Sequence, residues 1–242
     1  MAETPLLELR DLSFAYPESP EPVLRHVDFV FSPGQRVGLF GPNGSGKTTL
    51  LHLMMGLVAP TGGEVRYRGR PMATEADFRE VRRGVGLLLQ NAEDQIIYPT
   101  VLDDVAFGPL NLGLAPALAR VRAEETLAAL GLYGFEERLC HKLSGGEKKL
   151  VSLAGVLAMQ PEALLLDEPT NGLDPDTRDR IKDILARLGK PFIVISHDWD
   201  FLDQTATAFY TIDRGSLTPT PQSVLHRHLH SHPLGDAPHH HH

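Results

Sequence analysis

Residues Gly41-Pro-Asn-Gly-Ser-Gly46-Lys47-Thr48 constrain this chain more than any other stretch, because they match the phosphate-binding pattern G-x-x-x-x-G-K-[ST] at every defined position. Gly41, Gly44 and Gly46 let backbone N–H groups turn inward around phosphate oxygens, with Pro42, Asn43 and Ser45 completing the loop. The apolar run Val37-Gly-Leu-Phe40 reads as a buried strand entering the loop, and Thr48 to Met55 as a helix leaving it. That helix turns its positive N-terminus toward the same phosphates. Lys47 then reaches the β- and γ-phosphates as a point charge, the Thr48 hydroxyl ligates Mg²⁺, and Thr49 follows in the same helical turn. Nucleotide binding follows from this segment. A choice between kinase, GTPase and transporter does not.

The rest of the chain supplies the architecture such a loop needs. Ala163 to Leu166, Phe192 to Ile195 and Phe209 to Ile212 are short apolar runs, with a helical stretch from Pro175 to Leu188 between the first two. Strands alternating with helices predict an α/β fold with a parallel core. Upstream, Leu12, Phe14 and Tyr16 alternate, as do Val27, Phe29 and Phe31, so the opening reads as strands around a turn from Pro17 to Pro22. Gly62 to Arg70 adds β structure, and Thr74 to Arg83 a short helix feeding a strand from Val85 to Leu89. From Val101 to Met159 the pattern is helical, including Pro116 to Leu130 and Glu147 to Met159, which reads as a subdomain of about residues 91–160 inserted into the core. One domain over residues 1–217 results. The segment 218–242 is rich in Pro, Thr and His and is expected to be a poorly ordered tail.

Charge and composition narrow the partners. A formal net charge of −8 gives no electrostatic reason to expect nucleic acid. No apolar run approaches the ~20 residues of a membrane span. Glu3 and Glu8 stand where a secretory signal carries basic and then apolar residues, so membrane association is expected only through a partner. Cys140, the only cysteine, cannot form an internal disulfide and fits a reducing cytoplasm.

Two further motifs carry chemistry. Leu164-Leu-Leu-Asp167-Glu168 places a carboxylate pair at the end of a buried strand, where Asp167 holds Mg²⁺ and Glu168 polarises an attacking water. Leu143-Ser144-Gly145-Gly146-Glu147 opens a helix, and Ser144 with Glu147 also forms an S-x-x-E capping box. LSGG before a helix, upstream of LLLDEPT, resembles the signature of the ABC (ATP-binding cassette) ATPases, although Glu147 stands where the family usually has Gln. The resemblance spans about residues 5 to 217 and implies a RecA-like parallel core, an N-terminal antiparallel β subdomain and an inserted helical subdomain. It implies ATP and Mg²⁺ as ligands, and a dimer in which Ser144 to Glu147 contact the nucleotide of the opposite subunit. By the same resemblance Gln90 senses Mg²⁺ and the attacking water, Asp174 belongs to the D-loop, His197 hydrogen-bonds the γ-phosphate and Tyr16 stacks on adenine. Residue by residue the alternatives stay open: Asp174 before Pro175 is also a simple helix N-cap.

The stretch Gln90 to Gln95, followed by Thr100 to Gly113, resembles the ATPase components of energy-coupling-factor importers, particularly the cobalt/nickel type. That resemblance implies a homodimer or a pair with a closely related subunit, together with a transmembrane coupling subunit and a substrate-binding membrane subunit. Asp94 and Gln95 would lie where the coupling subunit docks. The alternatives are an ATPase of a vitamin importer and a soluble ABC ATPase of nucleic-acid repair or translation. Eight of the twelve histidines, His226, His228, His230, His232 and His239 to His242, fall in the last 17 residues. Imidazole suits nickel and cobalt, while His239 to His242 also read as a purification tag.

Overall fold

In the computed structural model, which describes residues 4–19 and 21–221, β1 (Leu7–Phe14) and β2 (Leu24–Phe31) pair antiparallel before β3 (Arg36–Phe40) enters the phosphate loop and α1 (Lys47–Met54) leaves it. β4 (Gly62–Tyr67), β5 (Arg70–Met72), α2 (Glu75–Gly84) and β6 (Val85–Leu88) follow. The inserted section carries α3 (Val101–Asn111), α4 (Pro116–Ala129) and α5 (Gly145–Ala158), with short 3-10 turns at Ala92–Asp94 and Cys140–Lys142. Alternation then resumes through β7 (Ala163–Asp167), α6 (Pro175–Leu188), β8 (Phe192–Ile195), α7 (Trp199–Thr205), β9 (Ala208–Asp213) and β10 (Ser216–Pro219).

Two sheets result. An antiparallel sheet runs β2-β1-β4-β5, and a six-stranded sheet runs β10-β9-β3-β8-β7-β6. All pairings among β9, β3, β8, β7 and β6 are parallel, and only the edge strand β10 is antiparallel. The unbroken apolar runs have a direct cause. Leu164 and Leu166 of β7 face one core with Phe192 and Val194 of β8, while Ala163, Leu165, Ile193 and Ile195 face a second core. Because side chains alternate across a strand, a sheet covered on both faces needs an apolar residue at every position. The first core is completed by the inserted helices, including Val151 and Ala154 of α5. The second is completed by α1 and the antiparallel sheet. Fully burying each such Val, Leu or Ile is worth about 1.5–3 kcal/mol.

Two sequence expectations are corrected. The alternation of Leu12, Phe14 and Tyr16 carries strand only to Phe14, because Pro17 and its neighbours turn the chain and leave Tyr16 beyond the end of β1. The tail does not begin at residue 218: Thr218 pairs with Thr211 and Pro219 with Tyr210 as the end of β10. Proline is tolerated there because β10 is the edge strand. The histidines from His226 onward lie outside the described residues.

Candidate active site

Four neighbouring parallel strands deliver the site. β3, β8, β7 and β6 lie side by side, so their carboxyl ends open on one edge, the position where open α/β sheets hold ligands. The phosphate loop leaves β3, His197 lies two residues past β8, Asp167 ends β7 with Glu168 next, and Gln90 lies two residues past β6. With Tyr16, Lys47, Thr48 and Thr49 they line a cleft of about 620 Å³. Val23, Asn171 and Ile195 also line it. Asn171 stood inside a recognised motif, whereas nothing in the sequence marked Val23 or Ile195.

The loop needs its glycines. Gly41 has φ +144°, and a Cβ there would sit 2.5 Å from the Ile212 carbonyl oxygen; Gly46 has φ +103°, and a Cβ would sit 2.8 Å from Val23 Cγ1. Pro42 and Ser45 close a turn through the Ser45 N–H donating to the Pro42 carbonyl at 3.3 Å. Lys47 is buried, and its Nζ donates to the Gly41 and Pro42 carbonyls at 2.9 Å each. Burial lowers its pKa, while Glu168 and Asp167 act in the opposite sense. The ammonium is therefore held at the mouth of the loop, in the field of the carboxylate pair.

The Thr48 hydroxyl donates to Asp167 Oδ2 at 2.7 Å, while Asp167 Oδ1 is buried with no hydrogen-bond partner. A hydroxyl touching a carboxylate that keeps one free buried oxygen suits a hard divalent cation that takes its remaining ligands from phosphate and water. Thr48 and Asp167 would hold Mg²⁺, with Gln90 beside them in the cleft. When bound, Mg²⁺ neutralises charge on the β- and γ-phosphate oxygens. Burial raises the Asp167 pKa, and the Thr48 hydrogen bond lowers it.

Glu168 is the strained residue of the site. It is a non-glycine residue at φ +45°, a conformation that costs on the order of 1 kcal/mol and gathers at functional positions. Its N–H donates to the Ile195 carbonyl at 3.0 Å, which fixes the backbone, and the side chain points into the cleft. Burial pushes the carboxyl up to about 7, partly offset by a hydrogen bond from the His197 backbone N–H. Glu168 Oε1 is buried without a hydrogen-bond partner and lies 3.3 Å from His197 Nε2. Burial, then the charge of Lys47, lowers the His197 pKa. A neutral imidazole beside a poised carboxylate leaves Glu168 free to orient a water and His197 free to donate one hydrogen bond to a phosphate oxygen.

Tyr16 packs edge-on against Phe14, and its hydroxyl is 2.9 Å from Thr49 Oγ1. This bond ties the antiparallel sheet to α1 and leaves the ring, 43% exposed, on the cleft wall.

The signature stands apart. Ser144 caps α5, with its Oγ accepting from the Glu147 N–H at 3.2 Å and Glu147 Oε2 accepting from the Ser144 N–H at 2.8 Å. Glu147 Oε1 also accepts from Arg138 Nη1 at 3.1 Å. Ser144 and Gly145 are exposed, and neither they nor Gly146 line the cleft. Asp174 also lies outside it, as the N-cap of α6, accepting from the Thr177 N–H and hydroxyl at 2.9 and 2.8 Å. A Cβ on Gly146 would sit 3.6 Å from Asp174 Oδ2, so signature and D-loop form one surface.

Gln95 is tied down within the chain and also lines a groove with Ile97 and Phe107. Its Oε1 accepts from the Leu89 N–H at 2.9 Å and its Nε2 donates to the Ser152 carbonyl at 3.3 Å, so both ends of the amide are used inside the chain. Asp94 is exposed.

Together the loop, the carboxylate pair and the capped glycine signature define a nucleotide hydrolase of the ATP-binding-cassette kind, and comparison with known proteins agrees. The family model for the ABC transporter domain matches residues 24–171, and the chain belongs to that family. It is 55% identical over 237 residues to a protein of Nitratidesulfovibrio vulgaris named as an ABC transporter ATP-binding protein, covering 98% of this chain and 86% of that one. It is 44% identical over 216 residues to the energy-coupling factor transporter ATP-binding protein EcfA of Methanothermobacter thermautotrophicus, covering 88% and 69% respectively. Among solved structures, cbiO1 of Clostridium perfringens, part of the ABC transporter complex cbiONQ, matches with a TM-score of 0.82 at 28% identity over 93% of this chain and 92% of that one. The chain is an ATPase that uses ATP and Mg²⁺.

Lys47→Ala is expected to weaken ATP binding by about 10- to 100-fold, the worth of one or two charge-assisted hydrogen bonds made in the ground state. Equilibrium titration with ATP and Mg²⁺ measures this. Unchanged affinity would remove Lys47 from the phosphate site.

Proposed function

We propose that the chain is one half of an ATP-clamping dimer that energises a membrane importer of the energy-coupling-factor class, carrying cobalt or nickel ions. The observation that carries the dimer is the incomplete wall of the cleft. Lys47, Thr48, Asp167, Glu168, Gln90 and His197 line it, yet the glycine-rich N-terminus of α5, Ser144 with Gly145 and Gly146, is exposed or half-buried outside it. A second copy turned head to tail supplies that missing donor set through its own Ser144 hydroxyl and the N–H groups of α5. Phosphoryl transfer to water needs charge neutralisation and an aligned nucleophile more than covalent chemistry. Lys47 gives charge from one side and the partner's helix gives dipole from the other. Glu168 takes the proton of the water, His197 holds the γ-phosphate, and Gln90 completes the water's alignment. Closure on ATP and release after hydrolysis are the two states that a membrane partner reads.

A docking place for that partner is available beside Asp94. Leu57, which follows α1, lines a groove with Ile97 and with Phe107 of α3, and Ile97 is 68% and Leu57 51% exposed. No described helix is long and apolar enough to cross a membrane. In this reading the transport pathway belongs to the partner subunits and the chain sits on the cytoplasmic face. The likeness to EcfA and to cbiO1 supports the importer class. The resemblance of residues 90–113 to the metal-import branch supports the cation.

The test is uptake in vesicles carrying the whole complex, comparing labelled nickel, cobalt and biotin. ATP-dependent uptake of nickel or cobalt, abolished by Lys47→Ala, is the expected result. Vitamin uptake without metal uptake would replace the substrate. Purification without any membrane subunit would favour a soluble repair or translation ATPase.

A further inference from the structure

Lys149 is a buried cation that none of the steps above uses. It lies on α5, five residues beyond Ser144, and is 3% exposed. Its Nζ donates to the Leu89 carbonyl at 3.0 Å and to the Gln90 carbonyl at 2.6 Å. Those two residues lead out of β6 and set the direction in which the Gln90 side chain enters the cleft. Burying an ammonium is costly unless hydrogen bonds and opposite charge compensate. Burial does lower the Lys149 pKa, to about 8, against the raising effect of Asp167 and Glu168.

Structural ties between α5 and this loop already exist. Gln95 bridges the Leu89 N–H and the Ser152 carbonyl without a charge, and Lys148 forms an ion pair with Glu93 farther along. Lys149 adds something these lack, since it grips the backbone of Gln90 itself. It does so from the helix whose N-terminus is Ser144.

We infer that Lys149 is a positioning residue for ATP hydrolysis: it holds Gln90 through the Leu89 and Gln90 carbonyls, so that seating of the signature helix on a nucleotide in the opposite subunit is transmitted to the Gln90 side chain of its own subunit. The inference rests on the proposed role of Gln90 in aligning the water. Gln90 touches the reacting groups, and Lys149 acts only through it. A rigid α5 with a five-residue offset of about 7.5 Å between Ser144 and Lys149 is a short, stiff lever for that purpose.

The experiment uses the full chain with ATP and Mg²⁺ and compares Lys149→Met, Lys149→Arg, Gln90→Ala and the double variant Gln90→Ala/Lys149→Met. Lys149→Met is expected to lower kcat about 10- to 100-fold while ATP affinity, measured by equilibrium binding without turnover, stays within about twofold. Lys149→Arg, which keeps charge and donors, is expected to recover most of the rate. The double variant is expected to be no slower than Gln90→Ala alone, because the lysine has nothing left to position. Multiplicative losses in the double variant would overturn the inference, as would an unchanged kcat in Lys149→Met or a fall in ATP affinity matching the fall in kcat. Should Lys149→Met not fold, Lys149→Gln, which can reach only one of the two carbonyls, takes its place, and a wild-type rate for it overturns the inference. A wild-type rate for Gln90→Ala instead removes the role of Gln90, whatever the lysine variants do.

Discussion

Glu168→Gln lowers steady-state ATP hydrolysis by about 10²- to 10⁴-fold, the range for loss of a positioned general base, while ATP affinity is retained. The amide keeps the size and most of the packing of the carboxylate but no longer accepts the proton of the attacking water. Lys47, Thr48 and Tyr16, the ground-state contacts, are untouched. ATP then persists at the site, and the closed dimer accumulates, which size-exclusion chromatography with ATP detects. Hydrolysis at the wild-type rate would take Glu168 out of its role.

The same substitution has a second signature in the nucleotide-free protein. Burial pushes the folded carboxyl up to about 7 from its ordinary 4.5. Between those two pH values the folded state binds more protons than the unfolded state, so this group's contribution is fully present below about 4.5 and is lost as pH rises through about 7. Glu168→Gln removes that loss. It is expected to raise stability by on the order of 2 kcal/mol at pH 8 and not at pH 4, read from thermal melts at the two pH values without nucleotide or Mg²⁺. A rise in rate across pH 6 to 8 in the wild type, absent in the variant, would accompany it.

Ser144→Arg is the second large effect, and its origin is geometric. The residue is exposed and lies outside its own subunit's cleft, so ATP affinity of the monomer is expected to stay near wild type. Losing the N-cap costs about 1 kcal/mol, small beside a domain stability of about 5–15 kcal/mol, so the chain still folds. Dimer closure and hydrolysis are expected to fall at least about 100-fold, since a bulky guanidinium replaces the hydroxyl that meets the γ-phosphate in trans. Mixing with Lys47→Ala separates a shared site from a site within one chain. Half of the dimers are then mixed, each with one intact and one doubly damaged site, and about a quarter of the wild-type rate returns if the sites act independently. ATP-dependent mixed dimers forming without any recovery would mean that both sites must fire, and no mixed dimers at all would sink the shared-site geometry.

Much of this molecule was legible because its key residues are contiguous. The phosphate loop reads directly, since glycines at φ values closed to other residues, a lysine and a hydroxyl lie within eight positions. The parallel core reads from runs such as Ala163 to Leu166, because a sheet buried on both faces leaves no polar alternation. Capping chemistry at Ser144 and Asp174 was equally local.

What only the tertiary structure decided depends on groups far apart in the chain. Thr48 and Asp167 meet across 119 positions, and Lys149 reaches Leu89 across 60. No spacing rule carries such pairs. Gln95 clamps two distant elements because Ser152, on a distant helix, offers its carbonyl. The raised carboxyl of Glu168 follows from burial and is not written in a motif. Sequence determined which groups the chain owns and which stretches become strands. Packing decided which of those groups share a cleft and what each one's charge costs, because desolvation and hydrogen-bond geometry are properties of neighbours in space.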